Sequence, residues 1–254
     1  MDTPFSRIYG PVLRTMVFLL WALIPRYGQA QEKPGHLLIT PLTGDFFIYT
    51  TWHMLGDKPY PANGLYVVTA QGVVLFDTPW DSTQFQPLLD SIACRHQKKV
   101  IICVATHFHE DRTGGLEDYT RHGIRTFTTL QTDQLSEAHG QKRARYLILK
   151  DTSYRVGACR FEIYYPGPGH SPDNIVVWFP DQRILYGGCL VKSTQATDLG
   201  NLSDADPLSW SQSIKHILKK FGQPAWVIPG HLSWDNNQSL QHTLRLLAAY
   251  QKGK

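Results

Sequence analysis

Residues 106–116, Thr-His-Phe-His-Glu-Asp-Arg-Thr-Gly-Gly-Leu, make the strongest demand on how this chain folds. They follow the apolar run 100–105, which reads as a strand, and Cys103 within it as a small core residue. His107, His109 and Asp111 alternate as the chain leaves that strand, so an extended turn puts two imidazoles and a carboxylate on one side of the backbone. These are nitrogen and oxygen donors of the kind zinc takes. Gly114 and Gly115 allow a sharp bend into a helix starting at Leu116, so the segment reads as a strand-to-helix loop. A solvated surface loop or a structural zinc clip would also hold this triplet, and what the rest of the chain brings to it decides between them.

Three further predicted strands run out at metal-capable residues. Residues 161–165 lead to His170, 183–188 to Cys189, and 226–229 through Gly230 to His231. Taken singly, a histidine is usually a surface or core residue and a cysteine a small hydrophobe. Six candidates at strand exits are another matter, because the exits of a layered sheet gather along one edge, where loops build sites on a rigid scaffold. His36, His96, His122 and His242 lack this context and read as surface residues.

The remaining pattern is strand alternating with helix. Residues 37–42 and 46–52 read as a hairpin turning at Thr43-Gly44-Asp45, and residues 53–61 as a flap-like loop leading to a strand at 65–69. The continuous apolar run 73–76 suits a strand buried on both faces, ending at Asp77. Asp81 or Ser82 caps a helix with Phe85, Leu88, Leu89 and Ile92 on one stripe. A short strand at 124–127, a helix at 132–139 stopped by Gly140 and a solvated basic loop at 141–145 follow. Strands at 161–165, 175–179 and 184–186 suggest a second sheet. Asp206 and Pro207 open a helix carrying Ile214, Ile217, Leu218 and Phe221, a strand occupies 226–229, and a last helix from about residue 237 carries Leu240, Leu244, Leu247 and Ala248. Two sheets packed face to face with helices outside bury every one of these stripes.

At 254 residues and 42% hydrophobic content the chain can build a sizeable core. Arg7, Arg14, Arg26 and Asp2 fall in the first thirty residues, leaving 22 basic against 20 acidic side chains, which is no electrostatic footprint for nucleic acid. Arg7 and Arg14 precede the apolar run 16–24, and Gly28-Gln29-Ala30 offers small residues for cleavage. Residues 1–30 therefore read as a signal peptide and 31–254 as one exported domain, located in the periplasm, without stable membrane association after cleavage. The run is short for a membrane span and no lipid-accepting cysteine follows it. Cys94, Cys103, Cys159 and Cys189 have no CxxC spacing and form no disulfide framework.

His107-Phe108-His109-Glu110-Asp111, Gly169-His170-Ser171-Pro172-Asp173-Asn174, Gly187-Gly188-Cys189-Leu190-Val191-Lys192 and Pro229-Gly230-His231 resemble, in order and spacing, the motifs of the metallo-β-lactamases, over about residues 35–250. The cysteine points to class B, subclass 1. The resemblance implies a four-layer αβ/βα sandwich, an α/β fold of two mixed β-sheets with helices on the outer faces. It implies two Zn2+ per chain, the first held by His107, His109 and His170 and the second by Asp111, Cys189 and His231. It also implies a monomer that opens the β-lactam ring of penicillins, cephalosporins and carbapenems by attack of a zinc-bound hydroxide, conferring antibiotic resistance. Zinc lowers the pKa of bound water to about 7, so no serine nucleophile is needed. Asp111 would direct the hydroxide, Lys192 anchor the substrate carboxylate, and Asn201 polarise the carbonyl oxygen. Trp80, Met54 and Leu55 would form an apolar wall and flap, and Asp77, Thr106 and Arg112 would orient the ligands, with Arg112 and Asp77 as a buried ion pair. Ser203 stands where glycine is frequent and Asp206 where asparagine is common, which would alter the loop and its electrostatics.

The same fold carries glyoxalase II-like thioesterases, lactonases and nucleases. Those typically have His-x-His-x-Asp-His and a later bridging aspartate, where this chain has Arg112 and Cys189. A zinc-binding protein without turnover would need all six ligands but not Lys192 or Asn201.

Overall fold

The computed structural model describes residues 37–253; the expected signal peptide at 1–30, and His36, lie outside the described residues. The described chain begins as an antiparallel meander of β1 (Leu38–Thr43), β2 (Phe46–Leu55), β3 (Lys58–Thr69) and β4 (Gly72–Phe76). From there it alternates: α1 (Phe85–His96) leads to β5 (Val100–Val104), α2 (Glu110–Thr113) and α3 (Leu116–Arg121) to β6 (Arg125–Thr129), and α4 (Leu130–Ala138) to β7 (Tyr146–Ile148). Each new strand lies parallel to the last, so the seven strands stand in chain order. A second sheet holds β8 (Thr152–Val156), β9 (Cys159–Tyr164), β10 (Val176–Phe179) and β11 (Ile184–Gly188) as an antiparallel meander. Then α5 (Pro207–Phe221) returns the chain to β12 (Trp226–Pro229), parallel to β11, and α6 (Ser239–Lys252) completes the fold.

Period-2 alternation in buried strands produces the layers. In β4, Val74 and Phe76 face the second sheet, with Ile48, Val104, Phe161, Val177, Phe179 and Ile228. Val73 and Leu75, pointing the other way, meet Leu88, Ile92, Leu116 and Tyr119 of α1 and α3. Val176, Trp178, Leu185 and Val227 cover Trp210, Ile214 and Ile217 of α5 and Leu240 and Leu247 of α6. The result is the expected helix–sheet–sheet–helix sandwich. The parallel crossovers from β4 to β5 and from β11 to β12 carry the exits of these four strands to one edge.

Three local readings change. Residues 53–61 are not a loop: β2 and β3 stay paired to Leu55 and Lys58 around the two-residue turn Gly56-Asp57, with Gly56 at φ +60°. Pro59 and Pro61 are two apart, so both occupy ladder positions whose N–H faces away from β2, and neither interrupts the pairing. Strands β7 and β8 carried no clear signal, because each is the edge of its sheet and the exposed Ser153 and Arg155 leave no apolar run. Helix α4 starts at Leu130, ahead of 132, because Thr129 caps it by accepting from the Thr132 N–H. The basic loop at 141–145 is solvated as expected, and within it Arg143 pairs with Asp133 and Glu137 at 2.6 Å each.

Candidate metal centre

The six expected ligands converge. His107 and His109 leave β5, Asp111 opens α2, His170 follows β9, Cys189 ends β11 and His231 follows β12. Asp111 does not stand in an extended turn: Glu110–Thr113 is helical, with the Arg112 N–H bonded to the His109 carbonyl at 2.9 Å. That turn brings Asp111 Oδ2 to Cys189 and His231. His109 Nδ1 lies 3.1 Å from both His107 Nε2 and His170 Nε2. Asp111 Oδ2 lies 3.1 Å from His231 Nε2 and 3.4 Å from Cys189 Sγ, and that sulfur is 3.2 Å from His231 Nε2. The triplets adjoin, for donor atoms of His107, His170 and Cys189 also fall within 4.8 Å of one another.

The outer partners of the rings decide which nitrogens face inward. His231 Nδ1 meets the Pro61 carbonyl at 2.8 Å and His109 Nε2 meets Asp204 Oδ2 at 3.0 Å. Both partners accept only, so those nitrogens carry the protons and the inward ones present lone pairs. Burial pushes the pKa of His107, His170 and His231 below the usual imidazole range, keeping the rings neutral. Burial alone would raise Asp111, but the Arg112 guanidinium beside it holds it well below the usual carboxylate range. Three imidazole nitrogens facing one another are repulsive without a cation among them. Tetrahedral zinc with nitrogens at about 2.0–2.1 Å puts ligand atoms about 3.3 Å apart, close to the spacing here. The donor sets, three nitrogens and a nitrogen–oxygen–sulfur triplet, suit zinc. Cys189 is the exception among the ready ligands, since burial drives its thiol far up and it must lose a proton to bind.

Arg112, 1% exposed, ties the centre together. It donates to Asp111 Oδ2 at 3.0 Å, to the Asn63 carbonyl at 2.7 Å and to the Gly230 carbonyl at 2.8 Å. The expected pairing with Asp77 is present but longer, at 3.4 Å, so Asp111 is its nearer carboxylate. Asp77 sits at φ +64°, a conformation aspartate tolerates, and accepts from the Thr106 N–H at 2.7 Å, the Thr106 hydroxyl at 3.0 Å and Tyr186. Burial lifts its pKa to about 6 against the pull of Arg112 and these donors. The Tyr49 hydroxyl holds the Asp77 carbonyl at 2.8 Å, and its ring lies over Gly64 on the paired strand, where a Cβ would come within 1.9 Å of it.

A cleft of about 460 Å³ opens above the ligands, lined among others by Leu55, Tyr60, Trp80, Lys192, Asp198 and Asn201. This volume suits a drug-sized molecule. Lys192 reaches it beneath Gly200, its ammonium 5.3 Å from the Trp210 ring, with its pKa lowered by burial. Asn201 Oδ1 accepts from the Ser203 N–H at 3.0 Å, which leaves its Nδ2 as the donor. Trp80 packs edge-on to His231, with ring centroids 6.0 Å apart. Met54 departs from expectation. His53, Leu55 and Tyr60 share the cleft face of the β2–β3 hairpin, so Met54, one position off in a period-2 strand, points to the opposite face and is 54% exposed. Asp206 acts on its helix rather than on the cleft, accepting from the N–H groups of Leu208 and Ser209 as the cap of α5. Sequence reasoning passed over Asp204, Asn63 and Tyr186. Asp204 stood within the Asn201 loop but becomes a ligand-orienting group only once that loop folds over His109.

Residues 132–231 match the model of the metallo-β-lactamase superfamily. The chain is 40% identical over 238 residues to a metallo-β-lactamase type 2 of Elizabethkingia meningoseptica, covering 91% of this chain and 95% of that one. It is 39% identical to metallo-β-lactamase IND-1 of Chryseobacterium indologenes, covering 91% and 96%. Among solved structures, a metallo-β-lactamase from Pontibacter korlensis superposes with a TM-score of 0.81 at 36% identity, covering 84% of this chain and 99% of that one. Fold and site together define a metal-dependent hydrolase of the αβ/βα sandwich class. The chain belongs to the metallo-β-lactamase family.

Proposed function

We propose that the chain hydrolyses the β-lactam ring of penicillins, cephalosporins and carbapenems with two zinc ions, as a periplasmic class B, subclass 1 enzyme that confers antibiotic resistance. The observation that carries this reading is the pair of adjoining ligand triplets, one of three imidazoles and one containing Cys189, under a cleft that presents both Lys192 and Asn201. Bound to these triplets, zinc supplies Lewis acidity and lowers the pKa of water to about 7. The Lys192 ammonium binds the substrate carboxylate, and the Asn201 Nδ2 donates to the lactam carbonyl oxygen as charge develops there. Asp111 Oδ2 is engaged by Arg112, which leaves Oδ1 to accept a hydrogen bond from the attacking water and fix its direction. Leu55, Tyr60 and Trp80 exclude water from the apolar side of a bicyclic substrate.

Hydrolysis of a carbapenem, followed by ultraviolet absorbance, tests this. Absorbance is expected to fall, to stop falling when chelator is added, and to resume when zinc is restored. A zinc-loaded chain that leaves carbapenems, penicillins and cephalosporins untouched would refute the reading.

A further inference from the structure

The hairpin that overhangs the cleft is held at its base by a side chain standing in for a strand. Among the described residues, strand β1 pairs with β2 as far as Leu38 and Thr50, while β2 and β3 run on together to Leu55 and Lys58. Trp52 faces Pro61, which has no N–H, so this pair exchanges no hydrogen bonds and the backbone groups of Trp52 point to the outer edge. There Gln84 takes both of them. The Trp52 N–H donates to Gln84 Oε1 at 3.3 Å, and Gln84 Nε2 donates to the Trp52 carbonyl at 2.9 Å. A primary amide offers the same donor and acceptor as a peptide group, so it completes the ladder where β1 leaves off. Gln84 is 7% exposed and belongs to the turn Ser82–Gln84 that opens α1, so the splint is anchored in the body of the protein.

Beyond Trp52 the attachment changes character. Among the described residues, no hydrogen bond joins 53–60 to the rest of the protein outside the hairpin. Two ring contacts hold it instead. His53 stacks on Trp80 with centroids 4.5 Å apart and planes at 16°, and Tyr60, its cross-strand partner, leans on His231 at 5.1 Å. Directional bonds at the base and slidable stacking above it are the parts of a pivot and a latch.

We propose that Gln84 fixes the pivot of the β2–β3 hairpin at Trp52 and that His53 latches its cleft face on Trp80, so that these two positioning residues decide how far the cleft opens for the group a substrate carries beside its ring. This rests on the β-lactam reading for its kinetic consequence alone. Without Gln84 the β2 side of the pivot retreats to Thr50, two residues or about 7 Å, and the base is pinned at that level only on the β3 side, by the Pro61 carbonyl on His231.

The test uses the zinc-loaded chain with Gln84→Leu, which keeps volume and removes both bonds, and with His53→Ala and His53→Phe. Amide hydrogen exchange at Trp52 is expected to quicken at least tenfold in Gln84→Leu. For a cephalosporin with a bulky side chain, KM is expected to rise threefold or more in Gln84→Leu and His53→Ala with kcat within twofold, while a penicillin with a small side chain changes less and His53→Phe restores the wild-type KM. Unchanged exchange at Trp52 would overturn the splint, and so would a fall in kcat at constant KM or a loss of zinc, either of which would assign Gln84 to the metal centre. Should the wild type turn over no β-lactam, the exchange at Trp52 still decides the pivot, and the failure belongs to the functional reading.

Discussion

Cys189 is the ligand whose chemistry changes most when a metal arrives. Its neighbours are already prepared, Asp111 ionised by Arg112 and His231 neutral through burial, whereas the thiol is held protonated by the same burial. Zinc binding at this triplet therefore releases one proton, and apparent affinity is expected to rise about tenfold per pH unit between about pH 6.5 and 8.5. Affinity weakens as pH falls because the proton competes for the sulfur; chelator competition at three pH values measures the slope, and a flat profile would mean that the thiol is ionised before metal binds. Lys192 makes a separate residue-scale prediction. Removing a charged hydrogen-bond donor costs about 1.5–3 kcal/mol, so Lys192→Ala is expected to raise KM on the order of 10- to 100-fold while zinc content stays the same. Steady-state kinetics alongside metal analysis checks both halves.

Helix α5 shows an element whose ends were written locally. Asp206 accepts from two first-turn N–H groups, Pro207 occupies the first turn, and Gly222 at φ +66° ends the helix. Asp206→Ala is expected to cost about 1 kcal/mol, a fall of about 2–4 °C in Tm, with kcat/KM essentially unchanged because the residue caps a helix and does not face the cleft. Thermal denaturation with and without zinc measures it. The β2–β3 hairpin is the opposite case. Its prolines argue against a strand when read one at a time, and only the register that places both at outward N–H positions lets the strands continue.

Arg112 joins the two sheets beneath the metal centre. Its guanidinium reaches the Asn63 carbonyl of β3, Asp77 at the exit of β4, Tyr186 of β11 and the Gly230 carbonyl after β12. Breaking a buried pair by removing one partner costs about 3–5 kcal/mol, so Arg112→Met is expected to lower Tm on the order of 10 °C and to weaken zinc binding at the Cys189 triplet. Arg112→Lys, which keeps the charge but not the planar fork, is expected to fall between. Denaturation and metal titration of the two variants together separate the loss of charge from the loss of geometry.

The chain's own order of residues determined the alternation of strand and helix, the two-sided burial of strands such as β4, the cap of α5 and the six candidate ligands, because each depends on period, capping or donor chemistry within a few positions. Tertiary structure alone decided the rest. Asp204 lies 95 residues from the His109 ring it orients, Asn63 sits 49 from Arg112, and Gln84 is 32 from the backbone it splints. The face on which Met54 and Leu55 point was set by the hairpin register. No local pattern encodes such contacts, because they exist only after the two sheets have packed and their strand exits share one edge.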